Sequence, residues 1–167
     1  ARVWEAATGR EVARMAHEEA VSAVAFSPNG QWVATASVDK TARVWEAATG
    51  REVARMAHEE AVSAVAFSPN GQWVATASVD KTARVWEAAT GREVARMAHE
   101  YAVEAIAFSP NGQWVATANS RTVRVWLWRP EDLIAEACSR LTRNLTLEEW
   151  RQYLGNEELY RKTCPNL

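Results

Sequence analysis

Short runs of apolar and β-branched residues, each closed by a cluster of turn formers, recur at a fixed distance through the first three quarters of the chain. Within one period, Ser27-Pro28-Asn29-Gly30, Val38-Asp39-Lys40 and Ala48-Thr49-Gly50 separate three such runs from a fourth, which predicts four short strands joined by tight turns. The first run, Val21-Ser22-Ala23-Val24-Ala25-Phe26, is apolar at nearly every position, the pattern of a strand covered on both faces. The fourth, Glu52-Val53-Ala54-Arg55-Met56-Ala57, mixes charge with apolar residues, as a half-wet outer strand does. Polarity thus rises from first strand to fourth, so each sheet is expected to stand radially with its first strand innermost.

The period is 41 residues: residues 1–41 return letter for letter as 42–82, and the copy that starts at Ala83 holds unchanged through Glu100. A unit this small cannot bury both faces of its own sheet, so the copies are expected to stack.

The residues that carry the repeat, Val24-Ala25-Phe26-Ser27-Pro28-Asn29-Gly30 and then Val33-Ala34-Thr35-Ala36-Ser37-Val38-Asp39-Lys40-Thr41-Ala42-Arg43-Val44-Trp45, resemble the WD-repeat (WD40) β-propellers. Two departures recur: Ala16-His17 stands where that family usually has Gly-His, and Trp45-Glu46 replaces Trp-Asp. The resemblance implies an all-β fold of WD40-type blades, each a four-stranded antiparallel sheet. It also implies that the His before strand one, a Ser or Thr on strand two, the Asp of the next turn and the Trp of strand three form a buried hydrogen-bonded tetrad. His17, Thr35 or Ser37, Asp39 and Trp45 match it, and His58, Thr76 or Ser78, Asp80 and Trp86 repeat it. In the last copy His99 and Trp126 remain, but Asn119-Ser120-Arg121 is one residue shorter and has no Asp, so a weaker edge is expected there.

Counted in strands, residues 1–128 supply the outer half of one blade, two full blades, and three strands of a last blade whose outer strand is lacking, because Pro130 opens a helix. Propellers of this family are commonly closed by pairing an N-terminal outer strand with three C-terminal ones, and the segment from Glu11 to Ala16 suits that role. Three blades cannot close a ring alone. A bare blade face of roughly 500 Å² forfeits on the order of 10 kcal/mol at about 25 cal/mol/Å², an upper estimate. The expected partner is therefore the chain itself, two copies giving about six blades, or else the missing blades of a longer array.

From Arg129 the composition changes, and residues 129–167 are expected to form a separate helical extension. Pro130-Glu131-Asp132 is a helix opening, and Leu133, Ile134, Ala137 and Leu141 form one apolar stripe. A second helix is expected from Thr146, whose capping box pairs it with Glu149; it carries Trp150, Tyr153 and Leu154, and stops at Gly155 before a tail anchored by Tyr160. This segment resembles the ending of bacterial, especially cyanobacterial, WD-repeat signalling proteins in which the propeller senses for an effector or a signal-transduction NTPase.

Net charge is −2, from 19 basic and 21 acidic residues interleaved, so no basic field invites nucleic acid. Eight of the nine tryptophans sit in the repeat region at recurring positions, which reads as packing. Cys138 and Cys164 make no zinc-type spacing and no disulfide framework, pointing to a reducing, cytoplasmic compartment; Cys138 reads as a small core residue of its helix. The sequence contains no apolar run long enough to span a bilayer, no charged-then-apolar leader pattern, and no Gly-rich phosphate loop, so neither membrane nor cofactor is expected. Asn144-Leu145-Thr146 is a glycosylation sequon that also caps a helix, and the compartment argues against its use.

Each full repeat holds a Ser-His-Asp set, but residues buried in one another's company rigidify a sheet and expose no nucleophile, so no enzyme is expected. Histidines spaced one repeat apart fall on separate blades and cannot share one metal ion. The informative comparison is between copies: Glu60 becomes Tyr101 and Ser63 becomes Glu104, at the loop and strand entry that form a propeller's narrow rim. With Glu18, Glu19, Ser22, Glu59, Glu60 and Ser63 these define a candidate acidic rim with one aromatic anchor, suited to a basic peptide. Drift in a terminal repeat explains the same substitutions. The expected function is a non-enzymatic interaction or sensor scaffold; the alternative is an engineered or recently amplified repeat whose only activity is ring assembly.

Overall fold

The computed structural model describes residues 1–154 and Cys164; the side chains of Tyr153 and Leu154, the expected stop at Gly155 and the anchor Tyr160 lie outside the described residues. The chain divides into two compact units, Ala1–Trp128 and Arg129–Leu167.

The first unit is built from four antiparallel sheets. Strands β1 (Arg2–Trp4) and β2 (Glu11–Arg14) form a hairpin, the outer half of a blade. Two full blades follow. One is β3 (Val21–Phe26), β4 (Trp32–Ser37), β5 (Thr41–Glu46) and β6 (Glu52–Ala57); the next is β7 (Val62–Phe67), β8 (Trp73–Ser78), β9 (Thr82–Glu87) and β10 (Glu93–Ala98). The last blade has three strands, β11 (Ala105–Phe108), β12 (Trp114–Ala118) and β13 (Val123–Leu127). The triplet Arg-Val-Trp occurs in β1 and again in β13, so the third-strand sequence is present at both ends of the array.

The sheets stack through their inner strands, β3 against β7 and β7 against β11. The Ser22 hydroxyl bridges two of them by donating to the Val62 carbonyl. Val44, Met56, Val62 and Val74 fill the seam between the two full blades, and Val85, Met97, Val103 and Val115 the seam after it. Strands β4, β5, β8 and β9 are buried almost throughout, whereas β6 alternates buried Ala54 and Met56 with exposed Arg55.

One expectation from the pattern is corrected. The run Val21–Phe26 reads as covered on both faces, yet Val24 is 60 % and Phe26 57 % exposed, while their copies Val65 and Phe67 are largely shielded. The sequences are the same; the surroundings differ. The second blade has a complete blade on its N-terminal side, and the first has only the β1–β2 hairpin, which reaches Val33, Trp45 and Ala47 but leaves β3 uncovered. At the other end Val123 and Val125 are 72 % and 61 % exposed, although Ala83 and Val85 at the equivalent register are fully buried.

Turn chemistry fixes the strand ends. Ser27 Oγ accepts the Trp32 amide N–H (2.9 Å) and donates to Asn29 Oδ1, which in turn accepts the Gln31 amide N–H (3.0 Å). In the turn between the third and fourth strands Gly50 adopts φ +72°, and a Cβ there would lie 2.7 Å from the Arg14 carbonyl oxygen of the neighbouring sheet. Only glycine meets both the torsion and the approach.

In the second unit α1 (Pro130–Arg140) begins with proline in its first turn and acids beside it, and Leu133, Ile134 and Leu141 are exposed. Helix α2 (Leu147–Leu154) is opened by the reciprocal cap: the Thr146 amide donates to Glu149 Oε2 (2.9 Å) and the Glu149 amide to Thr146 Oγ1 (3.2 Å). The expectation of two separate thiols is corrected here, since Cys138 and Cys164 form a disulfide with a Cα–Cα distance of 5.4 Å. Asn144 brings the partner back: its amide nitrogen donates to the Cys164 carbonyl and its oxygen accepts the Cys164 amide, both at 2.8 Å. That clasp is a tertiary contact, and no cysteine spacing announces it.

Candidate functional site: the loop ends of the blades

In each full blade one polar network ties the turn after β4 or β8 to the loop that enters the blade. Trp45 Nε1–H donates to Thr35 Oγ1 (2.8 Å), Thr35 Oγ1 lies 2.6 Å from His17 Nε2, and His17 Nδ1 lies 2.8 Å from Asp39 Oδ2. Assigned by its partners, the network runs one way: indole N–H to hydroxyl, hydroxyl to Nε2, Nδ1–H to carboxylate. The second blade repeats it with Trp86, Thr76, His58 and Asp80 at 2.8 Å throughout. Burial dominates the His17 and His58 imidazoles and lowers their pKa, although each neighbouring aspartate pulls the other way. For Asp39 burial acts to raise the pKa, and the hydrogen bonds from Thr41, His17 and the Glu18 amide outweigh it, holding the carboxyl far below its ordinary range.

Of the two hydroxyls open in the sequence, Thr35 joins this network. Ser37 does a different task, donating to the Ala20 carbonyl (3.0 Å) and accepting the Asp39 amide (3.1 Å); Ser78 does the same with Ala61 and Asp80. Thr35, Ser37, Thr76 and Ser78 are all fully buried, so none presents a nucleophile to a substrate.

A fifth member escaped the sequence reading. Arg43 Nη2 donates to Asp39 Oδ2 at 3.0 Å and its guanidinium lies 5.8 Å from the Trp45 ring centre; Arg84 repeats this with Asp80 and Trp86. The available signal was a basic residue on the otherwise apolar Thr-Ala-Arg-Val-Trp strand, two positions before the tryptophan and so on its side of the sheet.

The last blade keeps half of the device. Trp126 Nε1–H donates to Thr117 Oγ1 (2.9 Å), which lies 3.1 Å from His99 Nε2, but His99 Nδ1 is shielded from water and has no hydrogen-bond partner among the described residues. Asn119 replaces one oxygen of the absent aspartate. Its Oδ1 accepts the Thr122 amide and hydroxyl, as Asp39 Oδ1 accepts those of Thr41, and among the described residues no group replaces the other oxygen, the one that meets histidine.

The carboxylates also pin the entry loops. Asp39 accepts the Glu18 amide and Asp80 the Glu59 amide, both at 3.2 Å, which fixes the loops carrying Glu18-Glu19 and Glu59-Glu60. Around them the charge is mixed: Lys40 Nζ lies 3.3 Å from Glu60 and donates to the Glu59 carbonyl, and the Arg121 guanidinium sits 4.6 Å from the Tyr101 ring centre while donating to its hydroxyl at 3.0 Å. Glu19, Tyr101 and Glu104 are exposed, Ser63 is half-buried, and the Ser22 hydroxyl is spent on the neighbouring blade. Among the described residues no group of three or more histidine, cysteine or acidic side chains could hold a metal ion, and no helix is long and apolar enough to cross a membrane.

Four-stranded antiparallel sheets stacked by their inner strands, with a His-Thr-Asp-Trp network at one end of each full sheet, define a propeller-blade array. The family described as WD domain, G-beta repeat matches residues 9–46, 50–87 and 91–126, and the chain belongs to this WD-repeat family. No curated protein matches the chain.

Proposed function

We propose that residues 1–128 act as a non-enzymatic scaffold that presents the entry loops of its blades to a protein or peptide ligand. The carrying observation is the anchoring of those loops: each buried aspartate holds the backbone amide of the first glutamate, so the exposed acids are displayed from a rigid base. Glu19, Tyr101 and Glu104 then offer negative charge beside an aromatic ring, the chemistry of a site for a basic peptide. In a larger signalling protein this surface would be the sensor end. Screening an array of basic peptides against the chain and its Tyr101→Ala/Glu104→Ala variant tests the reading. A ligand that binds the parent and loses tenfold or more against a variant of unchanged circular dichroism supports it; equal binding to both removes this surface from consideration.

A second reading has its own observation, the uncovered faces at the two ends of the array. Val24 and Phe26 on one face and Val123 and Val125 on the other are copies of positions that the internal seams cover. A second chain docked head to tail would cover both, giving a ring of about six blades, and the Glu11–Arg14 strand of one chain would complete the three-stranded blade of the other.

A further inference from the structure

Among the positions at which the two internal seams of the array differ, one exchanges an alanine for an indole. Trp73 pairs with Glu87 across β8 and β9, and Trp114 with Leu127 across β12 and β13, so the next residue is Ala88 in one blade and Trp128 in the other. Trp128 is almost fully buried. Its indole packs edge-on to Trp73 (5.4 Å between ring centres) and Phe108 (5.7 Å), and its Nε1–H donates to the Gly112 carbonyl at 3.1 Å.

The preceding seam repeats the receptor residues without the ring, and two of them, Trp32 and Gly71, face open space. Trp32, Phe67 and Gly71 are the copies of Trp73, Phe108 and Gly112. Ala88 is itself fully buried, and next to it Trp32 and Gly71 line, with Trp73, Asn70, Glu87 and Ala89, an open pocket of about 400 Å³. That volume falls among ligand pockets of roughly 300–1,000 Å³. Burial agrees: Gly112, whose carbonyl accepts the Trp128 N–H, is buried, whereas Gly71 is partly exposed. By the antiparallel topology these turns lie at the opposite strand ends from the His17 and Asp39 loops.

We propose that this pocket is a binding site for the tryptophan side chain of a partner peptide, with the indole against Trp32 and its N–H donated to the Gly71 carbonyl. Trp128 is the internal example of the bound state. The site needs no bond made or broken, and it is separate from the loop surface proposed above.

The test uses the 167-residue chain and the peptide acetyl-Leu-Trp-Arg-amide, which copies residues 127–129, with 5-fluorotryptophan as a fluorine reporter. A fluorine NMR titration should saturate, and the phenylalanine analogue should compete roughly three- to tenfold more weakly because it has no N–H for the carbonyl. Trp32→Ala, which removes the ring the indole would lie against, should weaken binding at least tenfold. Should that variant fail to fold, Ala89→Arg, a change at an exposed turn position, should weaken binding at least tenfold. A titration that does not saturate, or one unchanged in the folded variants, overturns the proposal.

Discussion

Asp39 accepts five hydrogen bonds, from His17, the Glu18 amide, the Thr41 amide and hydroxyl, and Arg43. Such a carboxylate stays ionised in the fold, and the buried imidazole beside it stays neutral. The pKa of His17 and of His58 is lowered by folding, so the unfolded chain binds protons first as pH falls. Their contribution to stability is therefore complete above the ordinary histidine value of about 6.5 and declines below it. The aspartates, also lowered, add a second loss only in the acid range below about 3.9. Urea unfolding at stepped pH should show a plateau above neutrality and a falling limb toward pH 5, and the limb should flatten in His17→Gln/His58→Gln; a level profile in the parent would contradict the network as drawn. The histidine, aspartate and tryptophan positions were legible because the repeat prints them three times or nearly so. The choice of Thr35 over Ser37 was not, since both alternate onto the same side of β4 and only their distances to His17 separate them.

At the scale of elements, the turns were readable and the packing partners were not. Ser-Pro-Asn-Gly and Ala-Thr-Gly declare strand ends by local chemistry, and the capping box declares α2 for the same reason. What covers a strand depends on its neighbour: β3 and β7 share one sequence and differ in exposure. The Cys138–Cys164 bridge is likewise a relation between distant segments, 26 residues apart. Closing a loop of that length removes unfolded-state entropy worth about 3–4 kcal/mol in the chain-entropy account. Limited proteolysis followed by mass spectrometry should therefore find residues 129–167 cut much faster after reduction or in Cys138→Ser, with the blades cut at the old rate. Equal cutting with and without the bridge would show that the helices hold without it.

For the whole molecule the decisive quantity is mass in solution. If the two uncovered faces meet those of another copy, sedimentation should report a species of twice 18.6 kDa, and Val24→Asp should return it to the monomer by placing a charge in the seam. A parent that sediments as a monomer at every soluble concentration rejects head-to-tail closure and leaves the loop surface and the indole pocket unaffected.

The Arg-Val-Trp triplet shared by β1 and β13 bears on how the strands find their order. Several edges of near-identical sequence compete for each fourth strand during folding, and local energetics barely distinguish the correct mate from a copy one period away. Correct assembly then leans on connectivity and on the few letters that differ, Tyr101, Glu104 and Trp128 among them, which work as address labels in an otherwise uniform text.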